Sequence, residues 1–372
     1  REVEARIEAL DGHPFDAFIV SDLGLIPILR KYHPKTELHL STQANCVNAE
    51  AAKLYRDLGF TRIVPGRELS LEEIAEMKRQ VPDLELEVFV HGAMCLAYSG
   101  RCFLSAWMAE RSGNRGDCSH SCRWEYRVLE EKKRPGEYYP LYEGNGFSAI
   151  LSSKDINMID HLGDLIDAGV DSLKIEGRMK STYYAAVVTR AYRKALDAAL
   201  AARHTRGGGP VARPGAEIAA RPAAGPTTAS ATGAAALTGA PDAGPADVQP
   251  FIDELYGVSH RDFTTGFYYG RDDVEAPARG SYRRSHRFLG IIEAPSGDGG
   301  YHLTVKNTIT RGKPVEYIGP DVPMLRDDDF TLRRDGVEVE SANHDGRDYV
   351  IYPAQPVAEG FLIRSLADQE VW

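Results

Sequence analysis

The chain has 372 residues, with an apolar content of 43% and a charged content of 26%, which is typical of a soluble globular protein with more than one domain. Its formal net charge of −10 argues against a protein that coats nucleic acid over its whole surface, but allows a local basic patch. There is no apolar run of roughly 18 residues and no signal peptide, so we expect a cytoplasmic protein without a membrane span. The chain begins with Arg1, which predicts that its natural start lies upstream.

A repeated strand–helix pattern follows a short amphipathic helix at residues 3–10. Apolar runs with polar ends predict the strands, and amphipathic segments predict the helices. The predicted strands are residues 16–22, 37–43, 61–68, 84–92, 147–155 and 171–178, and the predicted helices are residues 23–32, 48–58, 70–80, 158–168 and 182–202. The third of these predicted helices, residues 70–80, begins with Ser-Leu-Glu-Glu, which is typical of a capping box.

Alternating strands and helices imply parallel strands with helical crossovers, in an open doubly wound sheet or in a closed (β/α)8 barrel. No glycine-rich fingerprint follows an early strand, which argues against a dinucleotide-binding domain. Polar residues end nearly every predicted strand, which is where a TIM barrel has its active site. We therefore predict that residues 1–202 form a TIM-like barrel lacking its first two strand–helix units.

The composition changes twice after residue 202. Residues 203–248 are rich in Ala, Gly and Pro and are predicted to be a disordered linker, because they contain too little apolar surface to offset chain entropy. Residues 249–372 predict a short helix, an aromatic strand and then short alternating strands, which together indicate a small antiparallel β-barrel. Those alternating strands are residues 287–293, 301–305, 314–318, 330–333, 349–352 and 360–363.

Four of the five cysteines lie in residues 91–124, here called the cysteine segment, with the spacing C-x6-C-x15-C-x3-C: Cys95, Cys102, Cys118 and Cys122. Four thiolates are the usual ligands of an iron–sulfur cluster, and they also suit a structural zinc ion or two disulfides. Only the last pair has the tight spacing of a zinc knuckle, and the fifth residue, Cys46, argues against a disulfide framework. The spacing favours the cluster, and we expect Cys46 to be a core residue.

Several motifs in this order resemble peptidase family U32, also known as the collagenase-like proteases. They are residues 40–45 (LSTQAN), 67–74 (RELSLEEI), 87–124, 172–193 and 263–270 (FTTGFYYG). The resemblance covers residues 1–202 and 249–372 and implies two further N-terminal strand–helix units. It also implies that the four clustered cysteines are the ligands of a four-iron cluster.

The functional implication of the resemblance is RNA hydroxylation. Bacterial U32 members with the C-terminal domain convert the wobble uridine of tRNA to 5-hydroxyuridine with prephenate as the co-substrate, so tRNA and a small carboxylic acid are the expected partners. The older family label keeps a peptidase as the alternative, although the chain contains neither HExxH nor GxSxG. A non-catalytic, cluster-dependent RNA-binding factor is the third hypothesis.

The polar strand ends supply the candidate site residues. Cations there suit a dicarboxylate, and carboxylates or a histidine suit proton transfer. The predicted catalytic residues are Glu68, His91, Lys174 and Glu176, and the predicted substrate-binding residues are Gln43, Asn45, Arg67, Lys154, Asp155 and Arg178. The structural alternatives are ion pairs at a barrel rim for the charged residues, a buried hydrogen-bonded histidine for His91, and helix capping for Gln43 and Asn45.

One arginine-rich strip is the predicted RNA contact, since cations with an interleaved tyrosine suit phosphate contact and base stacking. Its arginines are Arg279, Arg283, Arg284 and Arg287. The alternative is a solvated linker face. Trp124 and Tyr126 are expected to pack inside the protein rather than to stack on bases.

Overall fold

A computed structural model describes residues 2–95, 97–123, 142–144, 147–149, 153–205, 248–270, 283–344 and 346–367. The polypeptide divides into two compact units that alternate along the chain. The first unit comprises residues 1–176, 199–243 and 262–280, and the second comprises residues 177–198, 244–261 and 281–372. The three domain ranges predicted from the sequence stay a prediction, and most of the predicted linker lies outside the described residues.

The first unit is built on a mixed sheet. The strands of this sheet are β1 (Ala17–Val20), β2 (Glu37–Leu40), β3 (Phe60–Ile63), β4 (Glu85–Ala93), β7 (Asp155–Asn157), β8 (Ser172–Ile175) and β9 (Phe263–Thr264), and a separate two-stranded sheet contains β5 (Tyr142–Gly144) and β6 (Phe147–Ala149). Strands β1, β2, β3 and β4 are parallel neighbours in that order, and β8 runs parallel to β4. The alternation of strands and helices predicted for the first four units is confirmed.

Helices alternate with the strands along the first unit. Those of the first unit are α1 (Glu2–Glu8), α2 (Ile26–Tyr32), α3 (Ala49–Asp57), α4 (Leu71–Gln80), α5 (Leu104–Ala109) and α6 (Leu162–Asp167), and α7 (Thr182–Thr205) passes from the second unit into the first. The predicted capping box is confirmed at Ser70 and Glu73. Within the described part of the chain, no helix has both the length and the hydropathy needed to cross a membrane.

Strand periodicity separates the two faces of the sheet. Along β4, Leu86, Val88 and Val90 are buried, and the intervening positions Glu85 and Glu87 are polar. A strand with one apolar face and one polar face packs its apolar side chains against helices. The polar face carries the side chains whose ionic contacts are described below.

The fifth predicted strand, residues 147–155, differs from the expectation. The structure has a hairpin of β5 and β6 there, followed by β7, and β7 runs antiparallel to the end of β4. The cysteine segment leaves the sheet after β4, and the chain re-enters at that same end, so the returning strand runs back along β4. Closure into a TIM barrel stays a prediction.

The second unit contains α8 (Gln249–Asp253) and a curled antiparallel sheet. Its strands are β10 (His286–Pro295), β11 (Tyr301–Val305), β12 (Ile309–Thr310), β13 (Val315–Ile318), β14 (Leu325–Asp327), β15 (Thr331–Arg334), β16 (Val337–Glu338), β17 (Ser341–Ala342), β18 (Tyr349–Tyr352) and β19 (Leu362–Leu366). Eight of these strands have the order β14-β13-β19-β10-β11-β18-β15-β16, and β12 pairs with β17. All six alternating strands predicted from the sequence are confirmed.

A buried cation holds the second unit together. Arg364 on β19 is only 2% exposed, and its guanidinium donates to Glu254, to Glu316 and to the Tyr183 hydroxyl. The His286 ring nitrogen lies 3.3 Å from the same Glu316 carboxylate. A buried arginine is tolerated when its donors are satisfied in this way, because the desolvation cost is then offset by charge-assisted hydrogen bonds.

Candidate active site at the strand ends

Two hydrogen bonds join the loops that follow β2 and β3. The Thr42 hydroxyl donates to the Pro65 carbonyl at 3.0 Å, and the Gly66 amide donates to the Cys46 carbonyl at 2.9 Å. Cys46 is fully buried, which confirms the prediction that it is a core residue. These contacts bring the loop after β2, with Gln43 and Asn45, beside the loop after β3.

Asn45 has two properties that set it apart from its neighbours. Its backbone is in the left-handed region, with φ of 55°, where asparagine is tolerated better than most residues. Its side-chain nitrogen is buried and has no hydrogen-bond partner among the described residues. Gln43 lies in the short 3-10 turn Thr42–Ala44, and its amide donates to the Ser41 hydroxyl at 3.2 Å. A buried orphan donor costs free energy unless a ligand accepts from it.

Residues 67 and 68 fix the cysteine segment to the end of β3. The Arg67 amide donates to the Ser99 hydroxyl at 3.2 Å, and the Ser99 amide donates to Glu68 Oε1 at 2.7 Å. The second carboxylate oxygen, Glu68 Oε2, is buried and unpartnered within the described ranges. Glu68 therefore has a structural contact on one oxygen and an available acceptor on the other.

Gly100 brings the segment closer still. Its φ is 72°, and a Cβ atom at this position would lie 1.9 Å from the Gln43 carbonyl oxygen. Only glycine allows both the left-handed backbone and this close approach. The turn that contains Ser99 and Gly100 is thus packed directly on the loop that carries Gln43 and Asn45.

The Arg67 side chain is a buried cation with an incomplete set of partners. Its guanidinium carbon lies 3.7 Å from the centre of the Phe89 ring, and its Nε is buried without a hydrogen-bond partner in the described structure. Burial lowers the pKa of Arg67, whereas the nearby Cys95, Glu176 and Glu68 act to raise it. We call Asn45, Arg67, Glu68 and Phe89 the Arg67 site.

Tyr268 closes the site from a distant part of the chain. Its hydroxyl donates to the Phe89 carbonyl at 2.7 Å, and its own carbonyl accepts from the Leu71 amide at 3.1 Å. Burial raises the pKa of Tyr268, so its hydroxyl stays protonated. The sequence motif at residues 263–270 contained Tyr268, but no local signal identified it as a site residue.

His91 and Asp155 are buried near the end of β4. His91 is 1% exposed, its ring lies 5.5 Å from that of Phe263, and its carbonyl accepts from the Glu176 amide at 2.9 Å. Asp155 is also 1% exposed and is paired with Ala93 across the ladder of β4 and β7. Lys154 immediately precedes it and is partly buried. Their predicted catalytic and substrate-binding roles stay predictions.

Lys174 takes part in a chain of ion pairs on the polar face of the sheet. Its ammonium donates to Glu87 at 2.8 Å, and Glu87 also accepts from Arg62 at 3.2 Å. Although burial opposes the shift, the Lys174 ammonium lowers the pKa of Glu87. This is the structural alternative considered for Lys174, and its predicted catalytic role stays untested. Arg178, also predicted to bind substrate, belongs to the second unit.

The cysteine thiols gather in the segment held by Ser99 and Gly100. A Cβ placed on Gly113 would lie 3.6 Å from Cys102 Sγ and 3.8 Å from Cys118 Cβ, so both residues flank this glycine. Burial raises the pKa of Cys95, Arg67 lowers it, and Cys102 and Cys118 are near enough to raise it further. Cys122 is partly buried in the short turn Ser121–Arg123.

Hydrogen bonds of the segment surround these sulfurs. The Cys102 amide donates to the Asn114 side chain at 2.8 Å, and the Asn114 amide group donates back to the Cys102 carbonyl at 2.9 Å. The His120 amide donates to Cys118 Sγ at 3.3 Å. Asn114 and His120 were not identified from the sequence, because these contacts depend on the folded path of the segment.

None of the five cysteines, all of which lie in the described ranges, is joined in a disulfide. Within the described ranges, no group of three or more His, Cys, Asp or Glu side chains is arranged to hold a single metal ion. Trp124, Tyr126 and Arg279 lie outside the described residues. The other predicted RNA-contacting arginines, Arg283, Arg284 and Arg287, are exposed on the second unit, and Arg287 donates to Asn307 at 2.9 Å.

Comparison with known proteins identifies the family. Peptidase family U32 matches residues 1–222, and the peptidase family U32 C-terminal domain matches residues 284–364. The chain therefore belongs to peptidase family U32.

Its relatives include RNA-modifying proteins. The chain is 43% identical to the tRNA hydroxylation protein P of Escherichia coli, over 82% of this chain and 67% of that protein. It is 32% identical to the protein of the same name from Haemophilus influenzae, over 89% of this chain and 73% of the relative. It is also 44% identical to the 23S rRNA 5-hydroxycytidine C2501 synthase of Escherichia coli, over 50% of this chain and 27% of that protein.

The close approach at Gly100 can be tested with a matched pair of glycines. Gly116 has a similar φ of 78°, but a Cβ there would meet nothing within 4 Å. Both Gly100→Ala and Gly116→Ala incur about 1–2 kcal/mol of left-handed strain. Gly100→Ala incurs roughly 1–3 kcal/mol more, because the new methyl group overlaps the Gln43 backbone.

The measurement is the free energy of unfolding from urea titration of the two variants and the unsubstituted protein. Gly100→Ala should be the less stable variant by that additional amount. Equal destabilisation of the two variants would contradict the packing of the Ser99–Gly100 turn on the Gln43 loop.

Proposed function

We propose that the protein is an RNA hydroxylase that converts the wobble uridine of tRNA to 5-hydroxyuridine, with prephenate as the co-substrate. The observation that carries the proposal is the buried Arg67 cation beside Cys95, with Cys102 and Cys118 nearby, in a chain similar to tRNA hydroxylation proteins. A hydroxylase needs a redox centre, a site for an acid and access for RNA. The first two requirements have candidates in the first unit.

The redox centre would be a four-iron cluster held by Cys95, Cys102, Cys118 and Cys122. Each iron of such a cluster takes one thiolate, so the four sulfurs lie farther apart than around one zinc ion. The sulfur donors and the amide hydrogen bond to Cys118 fit a cluster, because such hydrogen bonds tune its reduction potential. When bound, the cluster would supply one-electron redox chemistry beside the Arg67 site. Zinc is the alternative occupant.

The co-substrate acid would bind at the Arg67 site. Arg67 Nε and Asn45 Nδ2 are buried donors without partners in the described structure, and a carboxylate is the acceptor that suits the charged Arg67 donor best. The guanidinium carbon lies 3.7 Å from the centre of the Phe89 ring, and this cation–π contact restrains the group that would recognise the carboxylate. Gln43, Lys154 and Asp155 are further candidates for contact with the acid.

Proton transfer would fall to the acidic and imidazole groups near Arg67. Glu68 Oε2 is an available acceptor that is held in position, because Oε1 is bonded to the Ser99 amide. His91 and Glu176 are the other candidates, and they are joined through the His91 carbonyl and the Glu176 amide. The hydroxyl of Tyr268 would stay protonated and hold the backbone of Phe89 rather than accept a proton.

A peptidase is the alternative that the family name favours. A cysteine peptidase needs a thiolate at neutral pH, and the pKa of such a nucleophile is lowered by its surroundings. Burial raises the pKa of Cys95, which is the cysteine nearest in sequence to His91. This direction disfavours Cys95 as a hydrolytic nucleophile.

The decisive experiment measures 5-hydroxyuridine in tRNA by mass spectrometry of nucleosides. The protein is expressed in an Escherichia coli strain lacking its own tRNA hydroxylation protein. The wild-type protein should restore 5-hydroxyuridine, and Cys118→Ala should not, because one cluster ligand is lost. Cys46→Ala is the matched control and should restore it.

Gelatin cleavage that survives Cys118→Ala, with no 5-hydroxyuridine formed by the wild-type protein, would instead support the peptidase. Binding of tRNA without any change in its nucleosides would leave only the non-catalytic RNA-binding factor.

The role of Arg67 in acid binding is tested with a second arginine. Arg67→Gln should weaken prephenate binding by about 10- to 150-fold, the range expected when a charge-assisted hydrogen bond is lost. The measurement is calorimetric titration of prephenate into the full-length, iron-loaded protein. Arg62→Gln is the control and should bind prephenate like wild type. Arg62 lies on β3 and is already paired with Glu85 and Glu87 on β4. Equal affinity in Arg67→Gln and wild type would remove Arg67 from the acid site.

A further inference from the structure

Three large aromatic side chains of the cysteine segment are exposed to solvent. Tyr98 is 63% exposed, Phe103 is 73% exposed and Trp107 is 69% exposed. We call them the aromatic face. Aromatic side chains normally contribute most when buried, and neighbouring exposed aromatics typically mark a binding surface.

The backbone presents these rings from a supported scaffold. Phe103 and Trp107 are four residues apart at the start of α5, joined by a 3.0 Å hydrogen bond from the Trp107 amide to the Phe103 carbonyl, so they lie on the same side of that turn. Tyr98 lies in the preceding tight turn, where the Arg101 amide donates to its carbonyl at 2.9 Å.

Side-chain hydrogen bonds hold this scaffold from behind. Ser105 is buried, and its hydroxyl donates to the Arg111 carbonyl at 2.6 Å and accepts from the Ser119 amide at 2.9 Å. Together with the bonds between Cys102 and Asn114, these contacts tie α5 to the residues around Cys118. The rings thus extend from a backbone that is fixed on its inner side.

The charge around the aromatic face is positive. Arg101 and Arg115 are exposed and have no ion pair among the described residues, whereas Arg111 is paired with Asp117 at 2.9 Å. Residues 91–124 contain four arginines and two acidic residues in a chain of net charge −10. Local cations on an acidic protein indicate a polyanionic partner at this place.

We propose that the aromatic face is the RNA-binding surface of the enzyme, on which unpaired bases of the tRNA loop stack while Arg101 and Arg115 contact the phosphates. This inference rests on the proposed function and adds the surface that recognises the substrate. Single-stranded nucleic acid is recognised by this combination of stacking rings and arginines. Cys102 lies between Arg101 and Phe103 in the sequence, so a base stacked on Phe103 would be next to one of the four clustered cysteines.

The experiment measures the affinity of an anticodon stem-loop RNA for the full-length, iron-loaded protein by fluorescence anisotropy. Phe103→Ala and Trp107→Ala should each weaken binding by about 5- to 150-fold, the cost of losing one stacked base. Trp107→Phe should keep most of the affinity, because phenylalanine still provides an aromatic ring on which a base can stack. Leu54→Ala, which alters an exposed apolar residue on α3, is the control and should bind like wild type.

Two further readouts identify the contacts directly. RNA should quench tryptophan fluorescence in the wild-type protein, and this quenching should be smaller in Trp107→Phe. Arg101→Ala and Arg115→Ala should each reduce the slope of log affinity against log salt by about 0.7, the contribution of one phosphate contact to a single strand. Visible absorbance of each variant checks that the cluster is still bound.

The outcomes separate this surface from the enzyme's function. If wild type and Trp107→Ala bind the RNA equally and both restore 5-hydroxyuridine to tRNA in the deletion strain, the aromatic face is not the RNA surface, although the hydroxylase proposal stands. If wild type neither binds the RNA nor restores the nucleoside, both proposals fail. Self-association or vesicle binding that depends on Trp107, without RNA binding, would also overturn the RNA assignment.

Discussion

The Arg67 amide donates to the Ser99 hydroxyl and the Ser99 amide donates to Glu68, and the position of the cysteine segment beside the Arg67 site depends on this junction. The cysteine segment begins at the end of β4. Because Gly100 allows the chain to approach the Gln43 carbonyl closely, the segment is packed against the loops after β2 and β3. The same residues that anchor the segment also form the Arg67 site.

Electrostatics explains why the Arg67 site is suited to an anion. The guanidinium is stacked on Phe89 and its Nε has no partner in the described structure, so an added carboxylate would relieve an existing cost. Elsewhere on the sheet, Lys174 and Arg62 already have carboxylate partners in Glu87 and Glu85. Arg62 and Lys174 thus have carboxylate partners at hydrogen-bond distance, whereas Arg67 keeps an unpartnered donor among the described residues.

Much of the fold could be predicted because its signals are local. Apolar periodicity and the Ser70 capping box predicted the first four strands, the three helices between them and the alternating strands of the second unit. The return of the chain after the cysteine segment was not predictable, since the antiparallel pairing of β7 with β4 depends on where a long insertion ends.

The site residues show the same division between local and distant signals. The position of Arg67 and Glu68 after an apolar strand identified them as candidates, and Arg67 is indeed buried with an unsatisfied donor. Tyr268 contacts Phe89 across 179 residues of sequence, so no local pattern could join them. The same holds for Ser99, Asn114 and the exposed aromatic rings, because their contacts and exposure depend on the folded path of the cysteine segment.

The central claim is that the four cysteines of the segment hold one iron–sulfur cluster beside Arg67. The most direct measurement is iron and sulfide analysis, with Mössbauer spectroscopy, of the full-length protein purified without oxygen. About four irons and four sulfides per chain, lost in Cys102→Ala, are the predicted result. One zinc ion per chain and no iron, or iron that persists when any of the four cysteines is replaced, would contradict the claim.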